Sequence, residues 1–374
     1  MPLEAYHPGL EGVIAGETAV SSITGGLSYR GYSITDLALQ STFPEVAYLL
    51  LYSELPTEEQ LADFKAILDE SAGVEPALLQ FLGQVPLHVS AMDALRTGVS
   101  AVAHFDPQHD DESPAARIAQ ATRLLAQIPV LIAARYRLRR GLPLVPHDSG
   151  LSFAGNLLQM ITGTAPSALA EKAFDVSLIL YAEHEFNAST FTARVITSTQ
   201  SDLYSAVVGA IGALKGALHG GANERVLEVL EEVREPALAE GWVRQALARK
   251  RRIMGFGHRV YKDGDPRATI LRTYCQLLAN ETKDSRLEQI ADTIESIVRT
   301  EKGLPPNLDW PSARLYHYLG LEVDLFTPLF VASRVTGWAA HVIEQTASNR
   351  LIRPRSRYVG PAARAYVRLE DRGA

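Results

Sequence analysis

Apolar residues recur every three to four positions along most of this chain, and short clusters of Gly, Pro, Ser and Asp divide the runs. That spacing predicts amphipathic helices, because positions three and four apart share one helical face. A helix is expected from about Asp36, N-capped by Ser33 or Thr35. A second is opened by Pro44, with Val46, Leu49, Leu50 and Leu51 apolar. Thr57-Glu58-Glu59-Gln60 has the form of a capping box ahead of Leu61, Phe64 and Leu68. Helices are also expected over 91–103, 115–139, 153–161, 167–182, 189–197 and 201–218. Val226, Leu227, Leu230 and Val233 mark one face of the next, and others follow over 242–252, 267–279, 286–300, 311–319 and 328–348. Only 13–32 reads as β-like, a small hairpin around Gly25-Gly26. Leu351-Ile352-Arg353-Pro354-Arg355 is expected to be extended, since Pro disfavours helix in the residue before it. No fixed-period repeat is present, which argues against a solenoid. The pattern predicts an all-α protein with a small N-terminal β-hairpin, its connections too varied for a simple bundle.

Composition narrows the function. The 374 residues are 47% hydrophobic, enough for a large core and about two domains. Charged residues make up 21% and the net charge is -7, which argues against nucleic acid or a membrane surface as partner. Basic character is local, in Arg249-Lys250-Arg251-Arg252; it fits a small anionic ligand, or more commonly a solvated helix face. A single cysteine, Cys275, allows no intrachain disulfide and no four-Cys zinc site. The N-terminus lacks the form of a signal peptide, and no apolar run reaches the ~18 residues of a spanning helix. A soluble, cytoplasmic protein is expected.

Candidate chemistry sits at breaks between helices. Glu183-His184-Glu185 ends an almost wholly apolar run. Gly216-Ala217-Leu218-His219-Gly220-Gly221 reads as a helix end and tight turn, with glycine supplying the backbone freedom. Gly255-Phe256-Gly257-His258 follows the basic run, with Asp265-Pro266-Arg267 after it, and Asp309 follows Pro305-Pro306-Asn307-Leu308. Taken singly, each of these residues is as well explained by a cap, an ion pair or a satisfied polar group. Together, a carboxylate base and neutral imidazole donors suit proton abstraction beside a carbonyl, and arginines suit substrate carboxylates. The second His of an H-E-x-x-H zinc motif is missing after His184-Glu185, and no nucleophile elbow is present. The loop over 104–114, with two histidines and several acids, reads as solvated rather than as a metal site because Pro107 and Pro114 break it.

Six motifs in order resemble the citrate synthase family: Glu-His-Glu-Phe-Asn-Ala-Ser-Thr from 183, Gly-Ala-Leu-His-Gly-Gly-Ala-Asn from 216, and Met-Gly-Phe-Gly-His-Arg-Val-Tyr-Lys from 254 with Asp-Pro-Arg. Pro-Asn-Leu-Asp from 306, Phe-Thr-Pro-Leu-Phe-Val-Ala-Ser-Arg-Val-Thr-Gly-Trp from 326 and Leu-Ile-Arg-Pro-Arg from 351 complete them. Gly9-Leu10-Glu11-Gly12-Val13 and Tyr29-Arg30-Gly31-Tyr32 resemble the family's N-terminal region. The resemblance implies that Asp309 removes a methyl proton from acetyl-CoA, that His219 hydrogen-bonds the thioester oxygen, and that His258 hydrogen-bonds the oxaloacetate carbonyl. It implies that His184, Arg267 and Arg334 bind oxaloacetate, with Arg353 supplied by the partner subunit of a homodimer. Ile253, Gly255, Phe256, Gly257 and Lys262 would hold CoA. No metal and no cofactor is implied; acetyl-CoA enters as a substrate. The implied domains are a large one of residues 1–220 and 322–374 and a small one of 221–321, with the site in the cleft between them.

Two departures flank the base: Trp310 where the family more often has Phe, and Leu308 where it more often has Val. They leave open 2-methylcitrate synthase, which uses propionyl-CoA, since one methylene changes binding by only ~1–3 kcal/mol. A non-catalytic acyl-CoA-binding protein is a more distant alternative, opposed by the intact Asp309, His219 and His258; a metallohydrolase is more distant still. The longer N-terminal extension of NADH-inhibited hexameric members is lacking, so a dimer without that control is expected.

Overall fold

A computed structural model describes residues 6–258, 260–261 and 264–372. Three two-residue strands, β1 (Ser21–Ser22), β2 (Ser28–Tyr29) and β3 (Tyr32–Ser33), form an antiparallel meander in that order. Ser21 pairs with Tyr29, and Tyr29 pairs with Tyr32. The expected hairpin is therefore shorter than its sequence window, and residues 13–20 add no strand to it.

Sixteen α-helices follow among the described residues. The first ten are α1 (Ile34–Gln40), α2 (Phe43–Tyr52), α3 (Glu58–Ser71), α4 (Pro76–Gln84), α5 (Ala91–Val102), α6 (Pro114–Arg139), α7 (Phe153–Thr162), α8 (Ala168–Tyr181), α9 (Ala188–Ser198) and α10 (Leu203–Leu214). Then come α11 (Ala222–Val233), α12 (Pro236–Ala248), α13 (Pro266–Thr282), α14 (Arg286–Lys302), α15 (Asp309–Tyr318) and α16 (Phe326–Ala347). Local chemistry sets many of the starts. The Ser33 side chain accepts from Thr35 N–H to cap α1, and Thr57 with Gln60 completes a capping box on α3. The expected helix over 242–252 begins earlier, at Pro236, and stops at Ala248, so the basic run Arg249–Arg252 lies beyond it. Helix α4 has no counterpart in the periodicity reading, because its nine residues bury only Leu78 and Leu82.

Helix α16 is the axis of the larger group. It packs against α2, α5, α6, α8, α9 and α10, and most of its residues are buried. Helices α11 to α15 pack chiefly on one another, through the pairs α13–α15, α12–α14 and α11–α15. They meet the larger group at α8, α1 and α16. The chain is thus an all-α, two-domain helical fold with a small antiparallel sheet. After α16 the chain has no regular helix or strand over 349–368, and Pro354 disfavours helix at Arg353. No helix among the described residues is long and apolar enough to cross a membrane.

Candidate active site

Six of the sequence candidates line one cavity of about 390 Å³: His184, His219, His258, Arg267, Asp309 and Arg334. They come from the α8–α9 turn, the α10–α11 turn, the segment before α13 and its first turn, the start of α15 and the middle of α16.

The small sheet positions His184. Tyr29 on β2 is fully buried; its hydroxyl donates to the carbonyls of Ile179 and Glu183 and accepts from Glu183 N–H. Ser21 on β1 donates to Glu183 Oε1 (3.1 Å) and accepts from Glu185 N–H (3.0 Å). Glu183 faces away from the cavity, where Oε1 also meets His341 Nε2 at 2.9 Å. Burial opposes its charge, but His341, Arg334 and the Ser21 hydroxyl hold its carboxyl below the usual range. His184 itself points inward, its Nε2 3.0 Å from the Tyr261 hydroxyl and its ring edge-on to His258. Burial, then the charges of Arg267 and Arg334, push its pKa well down, so the ring is neutral.

The turn at His219 depends on glycine. A Cβ on Gly220 would stand 2.5 Å from the Leu214 carbonyl, which receives the Gly220 N–H at 2.9 Å. The His219 ring accepts the Ser189 N–H at Nε2 (3.2 Å), with the Ser189 hydroxyl 2.8 Å from the same nitrogen. Trp338 Nε1–H in turn donates to that hydroxyl (3.1 Å). Burial, then Arg334, lowers the His219 pKa to about 4. A neutral ring that accepts at Nε2 carries its proton at Nδ1. His258 has the opposite tautomer in its neutral form, because its Nδ1 accepts the Val260 N–H (3.0 Å) and leaves Nε2 to donate.

Asp309 opens α15. Its backbone N–H donates to Asn307 Oδ1 (3.0 Å), and Asn307 Nδ2 donates to the Gly257 carbonyl (2.9 Å). Gly257 N–H donates to Pro305 O (2.8 Å) and Asn307 N–H to Gly255 O (2.9 Å). The loop carrying His258 is thus laced to the loop carrying Asp309. Gly255 suits this lacing, with φ of 87° and Trp310 and Val226 atoms 2.9 Å from where a Cβ would sit. Burial raises the Asp309 carboxyl to about 6, against the opposing pull of a Tyr181 hydroxyl hydrogen bond (3.1 Å to Oδ1) and of Arg267.

The two arginines differ in support. Asp265, fully buried, takes Arg267 Nε at 2.9 Å and Nη2 at 2.8 Å. Burial works against the Arg267 charge, but this carboxylate outweighs it and holds the guanidinium protonated above its usual range. Arg334 has no such partner among the described residues: its Nε donates to the Tyr181 carbonyl (2.6 Å), and burial lowers its pKa to about 10. It stays charged, with its remaining donors at a cavity that also presents Arg267. Buried positive charge of this kind calls for an anionic ligand.

Other candidates lie elsewhere. Arg353 is exposed on the C-terminal tail and does not line its own chain's cavity. Ile253 is buried, and Gly255, Phe256 and Gly257 stand outside the cavity wall, with the Gly257 N–H committed to Pro305. Lys262 lies outside the described residues. Leu308 lines the cavity but Trp310 does not; its ring turns the other way, onto Phe256 (4.5 Å between centroids). Sequence reasoning gave no role to Tyr181, Ser189, Tyr261 or Asp265. Only Asp265 carried a signal, its place two residues before Arg267. Among the described residues, no group of three or more His, Cys, Asp or Glu could hold a metal ion.

A buried carboxyl, two imidazole rings and two buried guanidiniums around one cavity are groups suited to carbon–carbon condensation through an enolate. Known proteins give the family. The model described as "Citrate synthase, C-terminal domain" matches residues 9–355. Citrate synthase 2 of Bacillus subtilis is 46% identical over 366 residues, 97% of this chain and 98% of that protein. A 2-methylcitrate synthase of Mycobacterium tuberculosis is also 46% identical, over 94% of this chain and 90% of its own. Among solved structures, citrate synthase from Thermotoga maritima superposes with a TM-score of 0.87 at 39% identity, covering 98% of this chain and 99% of that one. Citrate synthase from Thermoplasma acidophilum, in ternary complex with carboxymethyl coenzyme A and oxaloacetate, gives 0.91 at 34% identity, covering 99% and 100%. The chain belongs to the citrate synthase family and is an enzyme of its Claisen-type condensation chemistry.

Proposed function

We propose that this enzyme condenses acetyl-CoA with oxaloacetate and water to give citrate and CoA. The observation that carries the reading is the convergence of Asp309, His219 and His258 on one cavity with Arg267 and Arg334. Asp309, ionised above about pH 6, takes a proton from the acetyl methyl group. His219 donates its Nδ1–H to the thioester oxygen as the enolate forms, and neutrality makes it a donor without a proton to lose to solvent. The enolate carbon attacks the oxaloacetate ketone, and His258 Nε2–H stabilises the developing alkoxide. Arg267, Arg334 and His184 hold the oxaloacetate carboxylates. Water then cleaves the citryl thioester, releasing citrate and the CoA thiol.

The assignment extends to architecture. Residues 1–220 and 322–374 form the large domain and 221–321 the small one, so the cavity lies between them and closes over the substrates. The Ile253–His258 segment, with Lys262, carries CoA. Arg353 completes the site of a second copy in a homodimer. Oxaloacetate binds first, because its carboxylates bridge arginines of both domains.

The second reading is propionyl-CoA as the acyl donor, giving 2-methylcitrate. Its support is that relatives with either name stand at the same identity. The test is release of free CoA thiol with oxaloacetate, comparing acetyl-CoA and propionyl-CoA. A large preference for acetyl-CoA is expected; preference for propionyl-CoA selects the second reading, and Leu308 and Phe330 on the cavity wall are then the side chains to vary. No release with either overturns both.

A further inference from the structure

A second cavity, of about 250 Å³, lies behind the catalytic one between α13, α14, α15 and the Pro305-Pro306 turn. It shares no lining residue with the catalytic cavity. Its wall presents Asp265, Arg272, Glu295, Arg299, Trp310 and Arg314. Arg314 is fully buried; its Nε donates to Glu288 (2.7 Å) and its Nη1 to the Trp310 carbonyl (2.8 Å), but Nη2 has no acceptor among the described residues. The Trp310 indole N–H and Arg272 Nε are also buried without acceptors among the described residues. Buried donors of this kind call for a partner. The acids are asymmetric. Both oxygens of Asp265 are taken by Arg267 and Leu308 N–H, while Glu295 keeps Oε2 buried and unpaired. The residues lining the cavity therefore include buried donors without acceptors and a Glu295 carboxylate whose Oε1 lies 3.6 Å from Arg272 Nη1 and whose Oε2 is unpaired.

We propose that this cavity binds a small amphoteric metabolite, one that presents anionic oxygens to Arg314, Arg299 and the Trp310 N–H and a hydrogen-bond donor to Glu295. Hydrogen phosphate and an α-amino acid both carry that chemistry; sulfate, an anion without a donor, does not. Binding there is independent of the condensation reading.

Trp310 supplies a direct readout. The full-length protein is titrated with inorganic phosphate, with glycine and with sulfate, following tryptophan emission and, independently, heat by calorimetry. A saturable response to phosphate or to glycine, with sulfate inert, is expected, and whichever responds identifies the source. The response disappears in Trp310→Phe, which keeps Trp242 and Trp338, and affinity falls about tenfold in Arg299→Gln, the loss of one charge-assisted hydrogen bond. Arg299 is exposed in the last turn of α14, so this variant folds even if a change at buried Arg314 does not. Any of four results overturns the proposal: no saturable heat with either probe, sulfate binding equally well, emission changes that persist in Trp310→Phe, or Arg299→Gln binding like the parent. Thiol release is measured in parallel, so failure of binding and failure of the condensation reading are scored separately.

Discussion

Among the described residues, the Tyr181 hydroxyl is the one neutral group that hydrogen-bonds the carboxylate of the proposed base, and Tyr181→Phe isolates it. The hydroxyl donates to Asp309 Oδ1 at 3.1 Å and lies 2.8 Å from Ser312 Oγ. The ring stays packed on Phe330, and Arg334 bonds only the Tyr181 backbone carbonyl, so the variant keeps its shape. The bond favours the ionised carboxylate and so holds the Asp309 pKa down, against the burial that drives it up to about 6. A hydrogen bond to a charged group is worth about 1.5–3 kcal/mol, and one pKa unit is 1.36 kcal/mol; the long distance argues for the lower end, so the shift is about one unit upward. A base works only when ionised. The parent therefore loses kcat/KM as pH falls through about 6, and Tyr181→Phe loses it through about 7. The assay is thiol release against pH at saturating oxaloacetate. Equal rates well above the shifted pKa, with a displaced acid limb, are expected. An acid limb that stays in place, or that moves to lower pH, refutes the reasoning about which group is the base and what tunes it.

Four further outcomes follow from the same geometry. Asp309→Asn abolishes turnover and stabilises the fold: a carboxyl raised from 3.8 to about 6 contributes stability below pH 3.8 that is lost as pH rises through 6. Melting temperatures at pH 8 therefore rise in the variant, by the equivalent of about 1–3 kcal/mol, while those near pH 4 do not. Gly337→Ala, inside α16, drives a Cβ into the Glu183 carboxylate and the Ala182 carbonyl, and an unfolding titration should show a loss of about 3 kcal/mol or more. Oxaloacetate alone raises the melting temperature, by about 2.7 kcal/mol of stability at a hundredfold excess over Kd, and Arg334→Gln removes most of that protection. Mixing inactive Arg353→Ala and Asp309→Asn proteins, after exchange of subunits, restores part of the activity if Arg353 completes a partner's site; no recovery refutes that role.

Helix α6 shows what periodicity decides well. Its long apolar pattern is legible over 115–139 and the helix runs from Pro114 to Arg139, straight through Pro129, because its buried face outweighs one missing hydrogen bond. The capping box at Thr57 is equally local, and so equally legible. Helix α4, short and weakly buried, is not. The same division runs through the site. The sequence alone singled out the residues proposed to carry chemistry, since His219, His258, Asp309, Arg267 and Arg334 stand in recognisable motifs and their residue types fix what each can donate or accept. Only the tertiary structure decided their environment. Nothing in the order of residues says that Ser189 fixes the His219 tautomer, that Tyr181 meets Asp309 across 128 positions, or that Trp310 turns away from the cavity it adjoins in sequence. Hydrogen-bond direction, burial and pKa belong to groups brought together through space, and local pattern records only the parts.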